Sequence, residues 1–155
     1  MKKILYLHFI AIFMIFLVGC NNSSEVKTNE IINQLKQNGI NGNFKIRITT
    51  EEDLKALKKT VDEAEDEFQR AFGQSMYDSM KYVKASCEYE SDDLEFNLLE
   101  FENGKAVEDN VKPLLKLMSF GIDEGNIKKL IKGDIIVIFR KGYDKYIQVF
   151  NKTIN

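Results

Sequence analysis

The first twenty residues constrain this chain more than any other stretch, because they decide how much of it has to fold. Met1-Lys2-Lys3 precedes an apolar run of fifteen residues, Ile4 to Val18, and the small Gly19 stands before Cys20. A positive start, an apolar centre and a small residue at the cut form an export signal. The run falls short of the ~20 residues that an α-helix needs to span hydrocarbon. Asn21-Asn22-Ser23-Ser24-Glu25 follows with no basic stop-transfer cluster. Removing residues 1–19 leaves 136, enough for one domain with a proper core. The expected division is a leader over 1–19, a tether over 20–27 and a single domain over 28–155.

Leu17-Val18-Gly19-Cys20 resembles the lipobox of bacterial lipoproteins. The resemblance implies that a signal peptidase reads Leu17, Val18 and Gly19. It also implies that the Cys20 thiol takes a diacylglycerol, with a further acyl chain such as palmitate on the new amino group. Two or more acyl chains give stable anchoring where one does not. The implied address is the extracytoplasmic face of the cell membrane, and the implied partner is membrane lipid through Cys20. Asn21 to Lys27 reads as a polar tether; seven residues reach at most ~25 Å, so the domain is expected close to the bilayer.

The residue inventory narrows the chemistry. His8 is the only histidine and goes with the leader; the cysteines are Cys20 and Cys87 alone. With Cys20 lipidated, Cys87 has no intrachain partner, so no disulfide framework is expected. Ser-His-Asp and Cys-His catalysis lack their base, and a zinc site lacks its usual ligands. A metal would have to be a hard cation held by oxygen. Losing Lys2 and Lys3 moves the formal charge from −2 to −4, the wrong sign for a nucleic-acid binder.

Periodicity supplies the elements. Ile31, Ile32 and Leu35 stripe a helix over about 28–38, stopped by Gly39. Phe44, Ile46 and Ile48 alternate with polar residues as in a half-buried strand. Thr49 and Glu52 have capping-box spacing, opening a long helix whose face is Leu54, Leu57, Val61, Ala64, Phe68 and Phe72. Gly73 is expected to end it, with Gln74 to Met80 open between loop and another helical turn. Residues 82–90 and 94–102 read as a hairpin, with Val83, Ala85, Cys87 and Tyr89 on one side. A helix over 105–118 is expected to kink near Pro113, and 119–126 to be loop. Residues 127–132 and 134–140 read as a second hairpin around Gly133, although Ile127, Leu130 and Ile131 would also suit a helical turn. Tyr143, Tyr146, Ile147, Phe150 and Ile154 fit a C-terminal helix, although Ile147 and Val149 also alternate as in a strand. The sum is an α+β domain, with a mainly antiparallel sheet and helices packed on one face.

Beyond the lipobox, the chain resembles small Gram-positive cell-surface lipoproteins of unassigned function. The matching stretches are Ile31 to Thr50, Leu98 to Leu115, and Leu130 to Phe139 around Lys132-Gly133-Asp134. The helical stretch from Thr50 to Lys81 is longer than in that group. The resemblance implies an exported α+β domain and transfers no functional residue except Cys20.

Candidate chemistry is thin. Glu88, Glu90, Asp92, Asp93 and Glu95 form an acidic run without the central glycine of a calcium loop. Asp62, Glu63, Glu65, Asp66 and Glu67 read as a solvated helix face. Glu88 and Glu100 are a conceivable glycosidase pair. Cys87 reads as a buried, inert thiol, and Tyr143 and Tyr146 as core or interface aromatics. No catalytic residue, metal site or cofactor is assigned. The expectation is a non-catalytic binding or interaction module on the outer face of the cytoplasmic membrane, with a possible protein partner in the envelope. The alternatives are a small carboxylate-dependent hydrolase of cell-wall glycan and an accessory, substrate-capturing lipoprotein of a transporter.

Overall fold

A computed structural model of the protein describes residues 26–110 and 128–154. The leader with Leu17, Val18, Gly19 and Cys20, the tether as far as Glu25, the kink at Pro113 and the loop over 119–126 lie outside the described residues.

In chain order the elements are α1 (Lys27–Gln37), β1 (Lys45–Ile48), α2 (Glu51–Asp62), α3 (Glu67–Met80), β2 (Val83–Glu90) and β3 (Glu95–Phe101). A helix, α4, follows and is described over 104–110; β4 (Lys128–Lys132), β5 (Ile135–Lys141) and α5 (Tyr143–Thr153) complete the chain. The five strands form one sheet in the order β1-β2-β3-β5-β4, with every neighbouring pair antiparallel. This is an α+β fold. Helix wins over strand for the C-terminal segment because Phe150 and Ile154, four apart, both reach the core.

Strands β3 and β5 lie at the centre and are buried on both sides. On one face Cys87, Tyr89, Phe96, Leu98, Val137 and Phe139 pack beneath Ile31, Ile32 and Leu35 of α1 and Phe150 of α5. Phe96 stacks on Tyr89 with centroids 5.3 Å apart and meets Phe150 edge-on at 4.9 Å. Each such buried ring contributes about 1.5–3 kcal/mol from burial alone. On the other face Leu99, Phe101, Ile136 and Ile138 pack with Ala106 and Val107 of α4 and with Met80. Helical residues therefore cover both faces, where the sequence pattern led us to expect one. The reason lies in β5, whose run Ile135 to Phe139 is apolar at every position and needs cover on each side.

Two further expectations are corrected. The long helix is two: α2 ends at Asp62, and α3 begins at Glu67 and runs straight through Gly73. The break falls in the acidic run, where Asp62 and Glu63 crowd the negative end of α2 and Asp66 serves better as the cap of α3 by accepting the Gln69 N–H at 2.9 Å. Gly73 is instead a crossing point: a Cβ there would lie 2.9 Å from Val61 Cγ2. The capping box of α2 is set by Thr50 and Asp53, one residue later than the expected Thr49 and Glu52. In β2 a register shift between Val83 and Ala85 turns Val83 to the face opposite Cys87 and Tyr89, so the four do not share a side.

Candidate functional site

The described residues begin at Val26, and the structure there is unusual for a helix start. Val26 occupies the N-cap of α1 and offers no side-chain acceptor. The orphan N–H groups of a first turn need a partner when buried. Glu100, in the middle of the apolar stretch of β3, supplies it. Its Oε2 accepts from the Thr28 backbone N–H at 2.8 Å and from the Thr28 hydroxyl at 2.9 Å. Both side chains are buried, Thr28 at 0 % and Glu100 at 1 % exposure. Beside them Lys27 Nζ stands 2.6 Å from Asp134 Oδ2 in the β4–β5 turn. The Asp134 hydrogen bond, more than its charge, holds the Lys27 ammonium above its ordinary value. The end of the chain nearest Cys20 is thereby fixed to the centre of the sheet and to a turn 107 residues away.

This arrangement disposes of the carboxylate pair suggested by sequence. Glu88 pairs with Asn97 and Glu100 with Ala85 across β2 and β3. Positions 85 and 88 are an odd number of residues apart past the bulge, so the two carboxyl groups point to opposite faces of the sheet. Glu100 is engaged as a helix cap.

The acidic run is likewise drawn into ordinary contacts. Asp93 accepts from Lys145 and, at 2.7 Å, from the Tyr146 hydroxyl, tying the β2–β3 turn to the first turn of α5. These hydrogen bonds, with the Lys145 charge adding to them, hold the Asp93 carboxyl down at about 2. Glu95 pairs with Arg140 at 3.3 Å. In the second acidic group, Asp62 and Glu63 meet Lys58 and Lys59 one turn back, at 2.8 and 3.7 Å. Among the described residues no group of three or more His, Cys, Asp or Glu side chains could hold a metal ion.

Cys87 lies in the core, where burial pushes its thiol up to about 12, far from a reactive thiolate. Tyr143 meets Phe139 edge-on at 5.3 Å, and Tyr146 is held by Asp93, so both serve packing.

Sequence reasoning missed the Thr28–Glu100 contact. Its one signal was an acid inside Leu98-Leu99-Glu100-Phe101, where a strand buried on both sides leaves no wet position for it.

Beside its exposed acids, the described surface carries apolar and basic side chains. The two edge strands each expose an isoleucine, Ile46 on β1 at 39 % and Ile131 on β4 at 41 %, and Phe68 on α3 is 54 % exposed. Strand β4 also carries exposed Lys128 and Lys129. No helix among the described residues is long and apolar enough to cross a membrane. No protein-family model, curated protein or solved structure matches this chain.

Proposed function

We propose that this chain is a membrane-anchored lipoprotein, lipidated on the Cys20 thiol and then cut behind Leu17-Val18-Gly19, whose folded part is a non-catalytic interaction module on the outer face of the cytoplasmic membrane. One observation carries the reading. Among the described residues the first helix opens at Lys27, seven positions after the lipobox-like cysteine, and its first turn is locked into the sheet by Glu100. A chain that short reaches at most ~25 Å, so the domain stands against the surface that holds the anchor.

Interaction rather than catalysis is favoured by how the polar groups are used. Glu100 caps a helix and Asp93 ties two elements together. The unpaired backbone of an edge strand is a template for another chain, and β1, with its own Ile46 exposed, offers such an edge to an envelope protein.

Feeding cells a labelled fatty acid tests the anchor: the wild type should take up the label and the Cys20→Ser variant should not. Crosslinking and pull-down from native membranes tests the module. Wild-type protein that takes up no labelled fatty acid would overturn the first half. Cleavage of cell-wall fragments by the purified protein, with no partner enriched, would overturn the second.

A further inference from the structure

Charge is distributed very unevenly over this fold. The α2–α3 arm, residues 51–80, carries nine acids against four bases. It springs from β1, at one edge of the sheet. At the other edge, some 19 Å away at four strand spacings, the sign reverses. Lys128, Lys129 and Lys132 lie on β4, Lys27 at the start of α1 meets the β4–β5 turn, and Lys152 is in the last turn of α5. Lys132 Nζ donates to the Asn151 carbonyl at 2.7 Å, which brings the end of α5 onto the same flank. Within residues 27, 128–134 and 151–154, Asp134 is the one acid, and it is paired with Lys27. On the same strand Ile131 is exposed, on the face it shares with Lys129.

The chain toward Cys20 also leaves from this flank, because Lys27 is held at the β4–β5 turn. We propose that the β4 flank rests on the anionic phospholipid surface that carries the anchor, with the acidic α2–α3 arm and the β1 edge turned outward. This rests on the lipoprotein reading and adds an orientation to it. Anionic headgroups attract lysines within a Debye length and repel the arm. The short tether supplies the proximity, and the charge asymmetry selects the side. Exposed lysines on an edge strand have a second use, blocking unwanted strand pairing, and the test separates the two.

Buried Cys87 and acylated Cys20 leave no reactive thiol, so an introduced cysteine can be labelled alone. A fluorophore on Ile131→Cys and, separately, on Glu65→Cys is read in membranes doped with a headgroup-attached quencher. In phosphatidylglycerol bilayers the label at 131 should be quenched several-fold more than the label at 65. In phosphatidylcholine or high salt the difference should collapse. Adding Lys128→Gln, Lys129→Gln and Lys152→Gln should weaken contact by about fivefold per lysine. Equal quenching at 131 and 65 on phosphatidylglycerol overturns the orientation. So does unchanged quenching at 131 when the lysine variants self-associate, which assigns the lysines to edge protection. Two labels per chain instead of one mean that Cys20 is free and the anchor reading has failed. In that event the same variants in a Cys20→Ser background, added to phosphatidylglycerol vesicles, still decide the flank: salt-sensitive quenching at 131 supports it and none refutes it.

Discussion

Glu100 solves a problem that Val26 creates. A helix whose cap position lacks an oxygen leaves buried donors unpaired, and each costs about 1–3 kcal/mol. Here a strand residue 72 positions away provides the acceptor for both Thr28 donors. Replacing Glu100 by Ala should therefore destabilise the protein by about 2 kcal/mol or more, read as a lower urea midpoint with an unchanged slope. Glu100→Gln keeps an amide oxygen at the same reach and should lose much less. Equal losses for the two variants would show that the acceptor is not what holds α1. The same comparison bears on the proposed anchoring, under which a frayed first turn would lengthen the connection to Cys20 and loosen the domain's position.

At the level of elements, the strands were legible in the sequence to within a residue or two because alternation and turn residues agree. Phe44 to Thr49, the 82–90 and 94–102 hairpin, and the pair around Gly133 all fall where the pattern puts them. The arm was not legible. Leu54 through Phe72 keeps helical spacing across the Glu63–Asp66 break, so periodicity alone reads one helix where cap chemistry makes two. Nor could alternation show that β5 needs cover on both faces, or that a bulge moves Val83. The close crossing of α2 and α3 at Val61 and Gly73 is testable by a double-mutant cycle. Gly73→Ala places a methyl 2.9 Å from Val61 Cγ2, and overpacking should outweigh the roughly 1 kcal/mol that Ala gains over Gly in a helix. In a Val61→Ala background the methyl has room, and Gly73→Ala should become stabilising. Independent, additive effects would mean that the helices do not meet there.

A second element-level contact sets a pH response. Asp93 is held at about 2 against an ordinary 3.8 by Lys145 and Tyr146. A carboxyl with a lowered folded value lends stability above its unfolded pKa and loses it as pH falls through the folded one. The contribution of this tie is thus whole above about pH 4 and fades toward pH 2. Asp93→Asn should leave the acid unfolding curve with a shallower fall across that window. A carbon-13 carboxyl titration of Asp93 with its midpoint near 3.8 would contradict the contact.

For the molecule as a whole, stability should be graded from the sheet centre outward. Strands β3 and β5 are buried on both faces by two apolar clusters. The arm buries only Val61, Gly73 and Ser79, and the Ser79 hydroxyl is buried without a hydrogen-bond partner, which costs rather than stabilises. Segments with few buried apolar contacts open at lower free energy than the whole domain. Native-state hydrogen exchange should therefore show α2 and α3 opening ahead of β3 and β5, with β1 and β4 between them as edge strands. Gly73→Ala should speed exchange in the arm and leave the amides of β3 unchanged, whereas Glu100→Ala should reach α1 and β3 together. An arm that exchanged only with the central strands would be one cooperative unit with the sheet. It could not then move separately from the sheet, as the proposed membrane-seated orientation with an outward arm allows.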